Sequence, residues 1–208
     1  MYQPPHFRDE TRAAQHGLIR AYPLGLLITG GAAGLIADPV PFLLDESGPH
    51  GTLRAHLARA NPHWQALAEA KECLVVFQGP QGYVTPGWYA SKREHGRVVP
   101  TWNYATVYAW GRPRVIEDAD WLRRQVADLT TLRETPRVAP WALDDAPAPF
   151  VAAQLRAIVG IEIPITRIEG KWKMSQNRSE ADRAGVVAGM RAEGETALAE
   201  MVAERSGS

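Results

Sequence analysis

Residues 22–29 read YPLGLLIT, stop at Gly30-Gly31, and are followed by GLIA at 34–37 and VPFLLD at 40–45. Short apolar, β-branched runs divided by glycine and proline predict antiparallel strands joined by hairpins. The same punctuation continues outward. Residues 51–57 (GTLRAHL) form a further candidate strand, and Asn61-Pro62 opens a helix, with Asn as cap and Pro at the first helical position. Residues 74–77 and 83–85 flank Gly79-Pro80 as a hairpin, while 97–108 (RVVPTWNYATVY) and 112–116 (RPRVI) read as a long strand pair broken at Gly111.

Beyond Glu117 the period changes. Trp121, Leu122, Val126, Leu129 and Leu132 recur at helical spacing behind Asp118 and Asp120. A second helix is expected from about Pro147 to Val159, stopped by Gly160, and then a strand over 161–168 (IEIPITRI) whose proline suggests an edge or a bulge. Ser179 is expected to cap a final helix through Met190, with an Ala/Glu-rich continuation and a frayed Ser-Gly-Ser end. Many short strands among fewer helices predict a mainly β chain of the α+β class. The expected fold is an antiparallel β-barrel dressed by peripheral helices, one domain over 1–208, with residues from about 179 as a C-terminal helical extension.

The 208 residues carry 23 Lys+Arg against 23 Asp+Glu, so the formal net charge is zero. That balance argues against a polyanion binder, which is ordinarily basic. Only four of the cations are lysine, namely Lys71, Lys92, Lys171 and Lys173. The single cysteine, Cys73, begins the apolar run CLVVF and reads as inert core. The N-terminal MYQPPHFRDE is polar and broken by proline, unlike a secretory signal, and no apolar run suits a membrane span, so a cytoplasmic protein is expected. No phosphate-loop, dinucleotide-binding, HExxH or nucleophile-elbow pattern occurs. No metal ligands or catalytic side chains are assigned.

Three polar-aromatic segments remain. Residues 87–97 (GWYASKREHGR) place Ser91, Lys92, Arg93 and Arg97 within seven positions, a set able to surround a phosphate, or alternatively a solvated turn. In 100–104 (PTWNY), Trp102 and Tyr104 alternate with Thr101 and Asn103, which would frame a flat heteroaromatic ligand or form part of the core. Residues 170–178 (GKWKMSQNR) set Ser175, Gln176, Asn177 and Arg178 in succession, more polar groups than a helix cap requires.

Taken with 1–9 (MYQPPHFRD), 41–45 (PFLLD), 51–62 (GTLRAHLARANP), 75–92 (VVFQGPQGYVTPGWYASK), 95–104 (HGRVVPTWNY), 111–118 (GRPRVIED) and 158–163 (IVGIEI), these segments resemble the PaiB-type FMN-binding negative transcriptional regulators. WYASK and KWKMSQNR are the most distinctive stretches. The resemblance implies a flavin-binding split β-barrel of the pyridoxamine-oxidase-like type, acting as a homodimer with FMN as cofactor. It places the FMN phosphate at Ser91 and Lys92 and offers Arg54, His56, Trp102, Asn103, Gln176, Asn177 and Arg178 as further contacts. Pro39 and Gln81 stand where such proteins frequently carry histidine. The implied function is flavin- or redox-sensing regulation of transcription, although zero net charge gives no support to direct DNA contact. The alternative is a flavin-dependent oxidoreductase using NAD(P)H on a small substrate.

Overall fold

The computed structural model describes residues 1–31 and 34–205. The Ser-Gly-Ser end lies outside the described residues. Among the described residues there are eight antiparallel strands and seven helices: α1 (Arg12–Ala21), β1 (Leu24–Gly31), β2 (Gly34–Pro41), β3 (Leu43–Asp45), β4 (Thr52–Ala58), α2 (His63–Glu69), β5 (Cys73–Val84), α3 (Ser91–His95), β6 (Thr101–Gly111), β7 (Arg114–Ile116), α4 (Ala119–Glu134), α5 (Ala148–Arg156), β8 (Ile158–Lys173), α6 (Glu180–Ala192) and α7 (Thr196–Glu204). The strand order is β2-β1-β5-β6-β8-β4-β3, and β7 joins β8 beside this path. The α+β antiparallel architecture expected from the alternation of runs is present.

Contacts divide the chain into two compact units. The first comprises Met1–Tyr22, Gln78–Val107 and Glu169–Ser208; the second comprises Pro23–Phe77 and Tyr108–Ile168. Strands β5, β6 and β8 contribute residues to both.

In the second unit the hairpin anticipated from YPLGLLIT is β1–β2, in register from Leu24 opposite Pro41 to Gly31 opposite Gly34. β4 alternates as expected of a strand with one face in the core. Leu53, Ala55 and Leu57 are buried, whereas Thr52, Arg54 and His56 are only partly covered. The opposing stretch of β8 supplies Val159, Ile161 and Ile163, and each such side chain contributes roughly 1.5–3 kcal/mol on burial. Asp118 Oδ1 accepts the Trp121 N–H at 2.7 Å and starts α4 as the acidic cap predicted.

Three expectations about strands are corrected. Gly79-Pro80 makes no hairpin turn, because β5 runs unbroken from Cys73 to Val84. Gly79 is instead required for packing: a Cβ there would lie 3.1 Å from Leu18 of α1 and 3.3 Å from Ala105. β7 does not return along β6; it pairs with β8, Arg114 opposite Glu162. Gly160 does not end a helix either. α5 stops at Arg156, and Gly160 lies inside β8, where a Cβ would meet the Trp121 ring of α4 at 2.4 Å. Pro164 lies within this 16-residue strand, opposite Thr52.

In the first unit, α6 starts as predicted. Ser179 Oγ accepts the Asp182 N–H at 3.2 Å. The helix ends before Gly194, whose φ of 84° opens the turn into α7. α6 approaches residues 86–91 closely because two glycines face Trp88. A Cβ at Gly185 would lie 2.0 Å from the Trp88 carbonyl oxygen, and one at Gly189 would lie 2.3 Å from the indole.

Candidate functional site

The segment 87–97 is more ordered than a strand-to-strand loop. Pro86–Trp88 form a 3-10 turn, Tyr89 is buried, and Ser91–His95 form α3. Ser91 does not present its donors to solvent. Its N–H donates to Asp182 Oδ1 at 2.9 Å, and its hydroxyl donates to Asp182 Oδ2 at 2.8 Å. Burial would raise the Asp182 carboxyl, but the two bonds from Ser91, the Ser179 contact and the Arg178 charge hold it below the ordinary aspartate value. Lys92 is exposed beside this pair, with no ion-pair or hydrogen-bond partner among the described residues.

Arg178 reaches the same place from the chain after β8, its guanidinium 4.7 Å from the Tyr89 ring centroid. The Tyr89 hydroxyl is buried beside the Arg178 guanidinium, and no acceptor for its proton is present among the described residues. Burial pushes the phenol up, with the neighbouring Arg178 charge opposing. A buried donor without an acceptor is an uncompensated polar group.

GKWK is not a loop following the strand. It forms the last residues of β8, with Lys171 and Lys173 two positions apart and hence on one face. Lys173 Nζ donates to Thr101 Oγ1 and to the Trp102 carbonyl oxygen at 2.6 Å. The chain then turns at Ser175, in the left-handed region at φ 61°. Asn103 and Ser175 close that turn: the amide Nδ2 donates to Ser175 Oγ at 3.0 Å, and Ser175 Oγ donates back to Asn103 Oδ1 at 3.2 Å. Gln176 uses both ends of its amide in the same way, Nε2 donating to the Trp172 carbonyl and Oε1 accepting the Met174 N–H. Trp102 is 53% exposed and meets Tyr83 edge to face at 6.1 Å. Asn177 is exposed.

The first unit therefore gathers Ser91, Lys92, Trp102, Asn103, Gln176, Asn177 and Arg178. Among these, Ser91, Asn103 and Gln176 use polar groups to hold the backbone. Arg54 and His56 belong to the second unit. Arg54 donates to Asp128 of α4 at 2.9 Å. His56 lines a cavity of about 260 Å³ together with Trp141 and Phe150, and burial lowers its imidazole pKa. Sequence reading did not single out Tyr89 or Asp182; for the segment in which Lys171 and Lys173 flank Trp172 it raised anion or carbonyl recognition. The lysines' confinement to the distinctive segments was the available signal for the latter pair.

The donor set suits FMN. Lys92 and Arg178 could supply charge for a phosphate, Trp102 an exposed aromatic face, and the Tyr89 hydroxyl a hydrogen bond.

This antiparallel α+β fold recurs among solved structures. The architecture matches the flavocytochrome Anf3 from Azotobacter vinelandii with a TM-score of 0.60 at 14% identity, covering 86% of this chain and 75% of that one. It also matches the FAD and heme binding protein from Mycobacterium smegmatis with a TM-score of 0.58 at 17% identity, covering 85% and 78%. Residues 1–167 match the family model described as "Putative FMN-binding domain", and the chain belongs to this family, whose cofactor is FMN. An uncharacterized protein of Emericella nidulans is 37% identical over 227 residues, 90% of each chain. The protease synthase and sporulation protein PAI 2 of Bacillus subtilis is 29% identical over 187 residues, 90% of this chain and 87% of that one. No described helix is long and apolar enough to cross a membrane.

Proposed function

We propose that the chain is a PaiB-type regulator that binds FMN in its first unit, with Lys92 and Arg178 toward the phosphate and Trp102 toward the ring, and that flavin occupancy biases a homodimer. One observation carries this reading. The two segments most distinctive in sequence, 87–97 and 170–178, meet in the first unit through Arg178 on Tyr89, and Asp182 ties Ser91 to the helix that follows. When bound, FMN would supply one- and two-electron redox chemistry. The protein's own groups bind and orient it. Ser91 contributes by holding the start of α3 on Asp182 rather than through a free hydroxyl. Regulation of transcription is supported by likeness to PAI 2, and the neutral net charge favours action through protein contacts over a direct grip on DNA.

The test is titration of the purified chain with FMN, repeated with Lys92→Ala. Micromolar or tighter binding is expected, weakened at least about tenfold by the substitution, equivalent to about 1.4 kcal/mol. Absent binding, or binding indifferent to Lys92, refutes the proposed site.

A further inference from the structure

Lys171 is 8% exposed, yet no carboxylate and no hydrogen-bond acceptor among the described residues meets its ammonium. Two tyrosine rings flank it instead, Tyr104 at 5.3 Å and Tyr2 at 5.6 Å from centroid to Nζ. Attraction to aromatic faces partly replaces the hydration lost where a lysine side chain is covered. Two positions on, Lys173 has its ammonium on neutral oxygens and on the Phe7 ring at 6.0 Å. Burial, Lys171 and Arg178 all push the Lys173 pKa down, with no acid compensating.

Three acids of this unit are engaged elsewhere. Glu169 pairs with the Met1 ammonium at 2.7 Å, Asp9 pairs with Arg205 at 2.7 Å and accepts from Thr11, and Asp182 holds Ser91. Lys171 and Lys173 thus lie together on β8 with Arg178 near enough to act on Lys173, and no carboxylate among the described residues pairs with either lysine. The N-terminal residues lie over them, anchored by Gln3 Nε2 and the Asp9 N–H, both donating to the Gly170 carbonyl. Tyr2 itself is 83% exposed, so the cover over Lys171 is thin.

We propose that Lys171 and Lys173, supported by Arg178, form a binding site for a phosphate-type oxyanion, with the Tyr2 and Tyr104 rings as its walls. Two compact ammonium groups suit a small tetrahedral anion, which offers each a separate oxygen. Such an anion is either the phosphate of FMN, which would move that group from Lys92 to β8, or the phosphate of a second small ligand. The site does not require the FMN reading to hold.

The experiment titrates inorganic phosphate into the full chain in phosphate-free buffer at constant ionic strength, followed by calorimetry and thermal melts. Saturable binding is expected, weakened at least about tenfold by Lys171→Met and by Lys173→Met, retained in Lys171→Arg, and unchanged in Lys71→Met, whose lysine is exposed and distant in sequence. Without phosphate, each variant's melt is compared with the parent's, so that a variant that folds as the parent does yet fails to bind reports lost binding rather than lost folding. Competition of phosphate with FMN but not with riboflavin identifies the cofactor's phosphate as the occupant, and simultaneous binding of phosphate and FMN identifies a second ligand. Either result supports the site. Absent saturable binding, or binding unaffected by both Met substitutions, overturns it, even where FMN itself binds.

Discussion

Replacing Asp182 by Ala tests how the WYASK segment is held. In the native protein this carboxylate accepts the Ser91 N–H at 2.9 Å and the Ser91 hydroxyl at 2.8 Å, and its own N–H is capped by Ser179. Hydrogen bonds to an ionised acceptor contribute roughly 1.5–3 kcal/mol each. Ser91 is only partly buried, so water can reach its freed donors and the two contributions will not be lost in full. A loss of about 2–4 kcal/mol follows, or a fall in Tm of roughly 5–12 °C for a chain of this size. Ser91→Ala leaves the backbone bond intact and should cost about half as much. Because the two residues share these bonds, the double variant should lose less than the two single losses combined, by about 1–2 kcal/mol.

The same pair sets an acid dependence. The folded-state pKa of Asp182 lies below its unfolded value, so its contribution is present above the unfolded carboxylate pKa of about 3.9 and is lost as pH falls through the depressed folded value. The stability gap between the native protein and Asp182→Asn should therefore narrow below about pH 4. Urea melts of the five proteins across pH 3–7 provide the measurement. A loss below about 0.5 kcal/mol for Asp182→Ala, or a strictly additive double variant, would refute the view that this carboxylate anchors the segment.

Gly185→Ala should be among the most damaging single-methyl changes in the protein, because the added carbon would lie 2.0 Å from a backbone oxygen of Trp88 that cannot rotate away; a loss of about 3 kcal/mol or more in urea is expected. Cys73 is buried, and burial pushes its thiol up to about 12, so a thiol reagent at pH 8 should label the native protein no faster than it unfolds. Labelling complete before any denaturant is added would contradict that placement.

Features carried by local pattern were legible in the sequence. The strict alternation of β4, the β1–β2 hairpin and the acidic start of α4 each depend on neighbours in the chain, and each appears where the pattern puts it. The misreadings arose where a glycine serves tertiary packing rather than a turn. Gly79 admits Leu18, and Gly160 admits Trp121, so neither interrupts its strand. Nothing local to either residue reports a partner supplied from another part of the chain. The candidate site divides along the same line. Ser91, Lys92 and Arg178 are visible as a concentration of polar residues, but the Ser91–Asp182 bond joins positions 91 residues apart. Without that contact, Ser91 reads as a free donor. With it, Ser91 becomes part of the scaffold, and Lys92 remains an exposed cation beside it.

Charge is the property whose meaning changes most between sequence and structure. A neutral chain with evenly mixed signs has little to offer a nucleic acid, which rewards a protein for neutralising many phosphates along a groove. Neutrality over 208 residues nevertheless permits strong local imbalance, and the first unit produces it by pairing Glu169, Asp9 and Asp182 with partners away from Lys171 and Lys173. The resulting positive site is small, walled by aromatic rings and partly covered by the N-terminal residues. A polynucleotide backbone could not lie along it, whereas a single oxyanion could.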